Sequence, residues 1–297
     1  MIIFFEHGRL GNQLFQYAAL KKYAGKEKIC LIGFDDLRDT FDGLDAVFPL
    51  RNYSLLYKIL QRFGRRFFNC VLPATRLFTT LEQEVLEDGI SIRVKKGLIN
   101  KIKYCVTGYF QSEKVFSDSF ISNLHIKLTA KISAGNILKA IPQKCSHIFF
   151  VHVRRTDYLK WPTQEYPAVL PADWYIRCID KILAKYPQAY FVFCSDDVHY
   201  VQDVFGYLPN SYISSGDLAQ DFAIMTMCHG GILSASSFAW WATYFAKSKN
   251  PDGLFLAPLY WAGHRNGQWY PPHIKASFME YVDVYEDITQ GSIPVVL

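Results

Sequence analysis

The sequence predicts an α/β protein of two doubly wound, Rossmann-like domains, residues 1–144 and 145–297, and three observations carry that reading. The chain opens as strand, glycine turn, helix and strand. Its second half alternates four apolar runs with helical stretches. Between the two patterns lies a polar segment, residues 131–144, that contains Gly135 and Pro142. With 297 residues, half of them hydrophobic, the chain is long enough to bury a core in each domain.

In order along the chain, MIIFFEH (residues 1–7) is a short apolar run that reads as a strand. Gly8 and Gly11 then turn the chain, and in NQLFQYAALKKYA the pairs Leu14 and Ala18, Phe15 and Ala19 recur at helical spacing. KICLIGF (28–34) is a second buried strand and closes a βαβ unit. Residues 51–76 carry Arg51, Lys58, Arg62, Arg65, Arg66 and Arg76, no acidic residue, and interleaved Leu, Tyr and Phe. Such a cationic, amphipathic stretch suits a solvated helical face, or contact with anionic lipid or an extended acceptor. CVTGYF (105–110) reads as a further strand.

After the boundary, HIFFVHVRR (147–155), AYFVFCSDD (189–197), HGGILSASS (229–237) and GLFLAPLYW (253–261) are the strands of the second sheet. Helical stretches such as DWYIRCIDKILAKY connect them. Ligands of such sheets bind beyond the carboxyl ends of the strands. The clusters VRRTD, SDD (with Asp196 and Asp197) and SASS all fall there. A last helix is expected to pack back on the first domain.

Charge and cysteine usage exclude several classes of function. A net charge of +5, from 32 basic and 27 acidic side chains, suits anionic small molecules or an anionic membrane surface and does not indicate nucleic acid. The seven cysteines are odd in number, widely spaced and never arranged as C-x-x-C, so they read as reduced core residues of a cytoplasmic protein. Glu6, His7 and Arg9 interrupt the opening apolar run, so a secretion signal is not expected. No stretch reaches the ~18 apolar residues of a membrane span. The expectation is a cytoplasmic protein, at most peripheral at the inner face of a bacterial membrane.

HVRRTDY (152–158) ends a buried strand with His152, two adjacent arginines and Asp157. Arg154 and Arg155 thus bring permanent positive charge to the place where a sheet receives a phosphate-bearing ligand, and a guanidinium fork matches phosphate oxygens. One arginine can grip a diphosphate while the other pairs with Asp157 or holds the loop. His152 alone would read as a core or hydrogen-bonding residue. SASSFAWWATYFA places Ser236 and Ser237 where a helix begins, either as an ordinary cap or as a phosphate site built on the helix N-terminus. Trp240 and Trp241 behind them read as packing residues. No two aspartates stand in a D-x-D pair, Asp35–Asp36 and Asp196–Asp197 being adjacent, and no histidine pair has ligand spacing. Neither a metal nor an organic cofactor is expected. In HGRLGNQ the third glycine of a dinucleotide fingerprint is missing, so the motif is a poor nicotinamide signal. It fits instead a loop presenting Arg9, Gly11, Asn12 and Gln13 to a cleft.

Taken together, HGRLGNQLFQYA, VHVRRTDY, DFAIMTMCHGGILSASSFAWWATYFA and APLYWAGHRNGQWYPPHIKA resemble the motifs of the α1,2-fucosyltransferases of glycosyltransferase family 11, and more distantly those of the α1,6 and protein O-fucosyltransferases. Residues 37–104 carry no part of this resemblance. It implies a GT-B architecture and inverting, metal-independent transfer of L-fucose from GDP-fucose to a hydroxyl of a galactose-containing glycan, the 2-OH of a terminal galactoside. It implies that His152 contacts the nucleotide ribose or stabilises the site, that Arg154 and Arg155 bind the diphosphate, and that Ser236, Ser237 and Phe238 wrap the phosphate end. Asp221 is similar to the aspartate that reads the guanine N–H groups; its competing role is to cap a helix beginning at Phe222. Asp157 and Glu165 are the candidates for the general base, Glu165 lying out of register with the glutamate of the α1,6 enzymes. A different linkage, or a non-catalytic sugar-binding protein using the six tryptophans after Lys160, is the alternative.

Overall fold

The computed structural model describes residues 1–51, 54–60, 63, 67–106 and 108–285. The chain forms two compact units, Met1–Ala130 and Lys131–Leu297. The last helix expected from sequence falls on residues 286–297, outside the described residues.

In the first unit the expected βαβ opening is present as β1 (Ile2–Phe5), α1 (Leu10–Ala24) and β2 (Ile29–Ile32). There follow α2 (Asp35–Thr40), β3 (Phe41–Asp42), α3 (Leu55–Ile59), α4 (Leu72–Thr75), β4 (Phe78–Leu86), β5 (Gly89–Lys95), β6 (Ile99–Cys105) and β7 (His125–Ile126). The sheet runs β2-β1-β6-β4-β5 and is parallel except for the β4–β5 hairpin. Among the described residues of CVTGYF, only Cys105 lies in a strand. The strand lies earlier and ends at Cys105, and Phe110 adopts φ 54°, a left-handed conformation that a bulky residue in a strand avoids.

A buried carboxylate organises the loops of this unit. Glu6, just past β1, is buried, and its Oε2 accepts from the Phe34 backbone N–H (2.6 Å) and Gln13 Nε2 (3.0 Å), its Oε1 from the Tyr57 hydroxyl (2.6 Å). Gln13 in turn accepts from the Leu37 N–H, and Gln16 Nε2 donates to the His7 and Gly108 carbonyls. The buried polar atoms of Glu6, Gln13 and Gln16 are thereby matched, as they must be away from water.

In the second unit α5 (Leu128–Lys139), whose first turn belongs to the first unit, occupies most of the segment read as a polar linker. Then come β8 (His147–Val153), α6 (Ala172–Lys185), β9 (Ala189–Ser195), α7 (Val198–Phe205), β10 (Ser211–Ile213), α8 (Leu218–Met227), β11 (Gly230–Leu233), α9 (Ser237–Lys249), β12 (Phe255–Pro258) and β13 (Glu280–Val282). All six strands are parallel, in the order β10-β9-β8-β11-β12-β13. Apolar residues cover both faces of β8 and β9, which is why these strands read as continuous hydrophobic runs. Gly231 lets β11 pack: a Cβ there would lie 2.3 Å from the Phe150 ring. Trp240 and Trp241 are fully buried packing residues, as expected, and Trp240 donates its indole N–H to the Ile274 carbonyl. The cysteines are all free; five are buried, and Cys70 is exposed.

Candidate active site

The order of the second sheet reverses at β8. The chain moves from β8 through β9 to β10 on one side, then crosses to β11, β12 and β13 on the other. The crevice outside the carboxyl ends of β8 and β11 is therefore a topological switch point, the place where open α/β sheets bind ligands. HVRRTDY leaves β8 there and SASS leaves β11 there, so two of the polar clusters singled out in the sequence are neighbours in space.

The β8 loop is held by the end of β9. Asp196 Oδ1 accepts from the Arg155 N–H (2.9 Å), and its Oδ2 accepts from the Thr156 N–H (3.2 Å) and the Thr156 hydroxyl. Asp196 thus braces the loop with both oxygens. Arg154 Nε donates to Asp157 Oδ1 (2.8 Å) and lies 3.3 Å from Asp196 Oδ2. Arg155 Nε lies 3.4 Å from Asp197 Oδ2, with its guanidinium over the Tyr200 ring at 3.9 Å. Both arginines make these contacts through Nε. Among the described residues, the Nη atoms of neither form a hydrogen bond, so the bidentate edge of each fork remains for a ligand.

His152 is buried and shares a 2.6 Å hydrogen bond between its Nδ1 and the Ser234 hydroxyl, with its ring against Phe238 at 5.6 Å. Burial, and next the nearby Arg154, push its pKa down to about 3, so the imidazole is neutral and a weak base near neutral pH. Beside it Tyr158, also buried, donates its hydroxyl to the Ala235 carbonyl (2.7 Å) and fixes the SASS turn against the β8 loop. Ser236 occupies the N-cap position of α9, yet its side chain makes no capping bond. The ordinary serine cap is therefore absent, and the first turn of α9 directs its backbone N–H groups and the positive end of its dipole into the crevice without one. Ser237 opens the helix and Phe238 packs between His152 and Phe222.

Asp221 does not precede a helix that starts at Phe222. Helix α8 already begins at Leu218, and Asp217 caps it by accepting from the Gln220 N–H (2.8 Å). Capping is thus removed as the reason for Asp221. Its half-buried carboxylate accepts from the Ser214 hydroxyl (2.6 Å) just past β10, and burial pushes its pKa up to about 6. Glu165 sits exposed on the loop between β8 and α6. In the first unit, Arg9 is exposed and paired with Asp36 (2.7 Å), Gly11 is buried in α1, Asn12 accepts from Gln111 Nε2 (2.7 Å), and Gln13 is consumed in the Glu6 network.

Three residues escaped sequence reading. Ser234 stood in the SASS cluster but only its later serines drew notice; Tyr200 lies on α7, which no apolar period revealed; and Ser214 belongs to the polar stretch after the short β10.

NodZ, a fucosyltransferase from Bradyrhizobium, shares this fold: the superposition has a TM-score of 0.50 at 13% identity and covers 81% of this chain and 91% of that one. In sequence, the O-antigen biosynthesis glycosyltransferase WbnK of Escherichia coli is 24% identical, over 87% of this chain and 94% of its own. An α-1,2-colitosyltransferase of Escherichia coli is also 24% identical, over 86% and 90%. A galactoside α-(1,2)-fucosyltransferase 1 of Leontocebus fuscicollis matches at 29% over 36% of this chain and 30% of its own. The α/β, GT-B type fold agrees with the likeness to NodZ. The profile of glycosyl transferase family 11 matches residues 88–263, a span that holds the β8 loop, the Asp196 brace, Asp221 and the start of α9, and the chain belongs to that family.

Proposed function

We propose that the protein transfers L-fucose from GDP-fucose, without a metal, to the 2-OH of a terminal galactoside, with inversion at the anomeric carbon. The observation that supports this most is that the loop carrying the two guanidiniums and the uncapped start of α9 leave the carboxyl ends of the adjacent strands β8 and β11, at the switch point. A nucleoside diphosphate leaves with added negative charge, and fixed cations with a helix N-terminus stabilise it without reorganising. Asp221 sits in the first turn of α8, where an ionised carboxylate can accept from the N1 and N2 donors of guanine. Neutral His152 serves as a hydrogen-bonding group rather than a proton acceptor.

Inversion requires the acceptor hydroxyl to attack from the face opposite GDP, assisted by a carboxylate. Asp157 is tied to Arg154, so its role is to orient that guanidinium; Glu165 has no such tie and is the better base. An oxocarbenium-like transition state reduces the demand on the base and increases that on the leaving-group clamp.

The donor sugar has a second reading, since one relative that covers most of the chain is named for colitose, which lacks the 3-hydroxyl of fucose. Incubation with GDP-fucose or GDP-colitose, a panel of β-galactosides and excess EDTA tests both. GDP release and an α1,2-linked fucosyl product by NMR are expected. Product from GDP-colitose alone would replace the donor, activity abolished by EDTA and rescued by a divalent ion would overturn the metal-free clamp, and GDP release without any galactoside acceptor product would overturn the acceptor.

A further inference from the structure

A patch on the first unit has no part in this chemistry. It is formed by α3, α4 and the turn joining β5 to β6. Each helix has one buried anchor: Tyr57 of α3 donates to Glu6, and Leu72 of α4 packs with Phe5 and Tyr104. An ordinary surface helix shows polar residues on the other side. Here α3 turns apolar residues outward beside Lys58, with Leu55 74%, Leu56 53% and Ile59 48% exposed. At the β5–β6 turn Leu98 is 86% exposed, the most exposed large apolar side chain among the described residues. That turn is pinned: Gly97 donates to the Thr79 hydroxyl, and its backbone is so close to Phe78 that a Cβ would meet the Phe78 carbonyl carbon at 2.3 Å. The Leu98 N–H donates to the Arg76 carbonyl (3.0 Å), which joins the turn to the end of α4.

The patch also carries positive charge. Elsewhere in the unit Lys21, Arg93, Lys95 and Lys103 are paired with Asp45, Glu84, Glu82 and Glu27, while exposed Lys26, Lys28 and Lys101 form no ion pair among the described residues, so it is the union of such cations with projecting leucines that marks the patch. Lys58, Arg76 and Lys96, all exposed and interleaved with the outward apolar residues, form no ion pair among the described residues. In sequence, residues 51–76 hold six cations and no acid while the whole chain nets +5, so the remainder of the chain is slightly negative. Unpaired cations beside projecting aliphatic side chains have one common solvent partner, the boundary between headgroups and acyl chains of an anionic bilayer. A soluble polyanion would match the cations and leave the leucines in water. A protein partner would favour an aromatic-rich patch with charges at its rim.

We propose that this face docks peripherally on an anionic lipid bilayer, with Leu55, Leu56 and Leu98 entering the headgroup boundary and Lys58, Arg76 and Lys96 pairing with lipid phosphates. No helix among the described residues is long and apolar enough to cross a membrane, which agrees with contact in the plane of the interface.

Flotation of the full chain, without sugar nucleotide, on vesicles of phosphatidylcholine alone or with roughly one third phosphatidylglycerol tests this. Binding is expected only with phosphatidylglycerol and should weaken about tenfold or more between low and high salt. The double variant Leu55→Glu with Leu98→Glu, and separately Lys58→Glu with Lys96→Glu, should each lose about tenfold or more in vesicle affinity, with unchanged thermal unfolding and unchanged GDP affinity. Equal binding to both vesicles, no binding to either, or full binding by the leucine variant would overturn the proposal. The last result would identify a site for soluble polyanions. Since no donor or acceptor is present, none of these outcomes depends on the transfer reaction.

Discussion

The loop after β1 and the loop after β8 are both polar, and they spend that polarity differently. In the first unit the carboxylate of Glu6 is buried and saturated by the donors of Gln13, Phe34 and Tyr57. In the second unit Asp196 and Asp197 hold charged partners at partly exposed positions, and the Arg154 and Arg155 side chains keep 29% and 24% of their surface accessible. A buried, saturated network has nothing left to offer a ligand, so its value is structural. An ion-paired loop in contact with solvent costs less to rearrange and can exchange a carboxylate for a phosphate. The comparison therefore sorts mutations by readout: changes after β8 should act on turnover, changes after β1 on stability.

The largest effect is expected at the β8 loop. Arg154→Ala or Arg155→Ala, whichever removes the guanidinium that contacts the diphosphate, should lower kcat by roughly 10²- to 10³-fold, about 3 to 4 kcal/mol of transition-state stabilisation. Unfolding midpoints should change little. If both folded variants keep more than about a third of the kcat/KM of the unmodified protein, the second unit does not use its charges in this way.

The converse test is Glu6→Ala, which strands three buried donors and should destabilise the protein by about 3 kcal/mol, seen as a lower urea midpoint, with kcat unaffected where the protein remains folded. Burial raises the Glu6 pKa above its usual 4.5, so the folded state holds that proton more tightly than the unfolded chain. Stability should accordingly fall as pH rises through the window just above 4.5, and Glu6→Gln should flatten that slope. A large loss of kcat with unchanged stability in Glu6→Ala would erase the distinction between the two loops.

The same contrast explains what could be read from the amino acids alone. The second sheet was legible because its strands are buried on both faces and end abruptly in polar clusters, so HIFFVHVRR shows both the strand and the site. The first unit was legible through β2 and then less so. Its β4–β5 hairpin is half exposed and follows no uninterrupted apolar run, and CVTGYF looks like a strand although Phe110 takes a left-handed turn. Single residues suffered the same limit. Gln13 and Asn12 looked like cleft residues; Gln13 bonds Glu6, seven residues earlier, and Asn12 accepts from Gln111, a partner far along the chain that no local pattern reveals. Asp196 belonged visibly to a strand-end cluster, but the number of bonds it makes to the β8 loop follows from the adjacency of β8 and β9, which no local pattern encodes.

Asp221 sharpens the comparison further, being half-buried like a structural residue and charged like a site residue. With its pKa near 6 against an ordinary 3.8, the folded state is the more protonated between those values, so stability falls as pH rises through that window. Guanine recognition needs the ionised carboxylate and should run the opposite way: GDP affinity rises up to about pH 6, being about tenfold weaker one unit below. Asp221→Asn should weaken GDP by about 1.5 to 3 kcal/mol and relax the preference for GDP over IDP, which lacks the N2 amino group. Titration of the phosphates themselves is common to both proteins and cancels in their affinity ratio. An unchanged GDP-to-IDP ratio in calorimetric titrations would remove Asp221 from the base pocket.

The smallest effect belongs to Asp217, one turn before Asp221 in the chain. Its carboxylate caps α8 by accepting from the Gln220 N–H, and it stands exposed at the helix start, where the dipole also favours negative charge. Removing it in Asp217→Ala should cost about 1 kcal/mol of stability, since a single exposed cap is lost and water replaces part of it. GDP binding should be unchanged, because the base pocket assigns its hydrogen bonds to Asp221. The two aspartates stand one turn apart at the start of α8 and differ in burial, so the pair forms an internal control: Asp217→Ala should lower the urea midpoint and leave the GDP isotherm alone, and Asp221→Asn should weaken GDP binding without lowering the urea midpoint. A weaker GDP isotherm in Asp217→Ala, without loss of the GDP-to-IDP preference, would mean that the start of α8 as a whole, rather than the carboxylate of Asp221, positions the nucleotide.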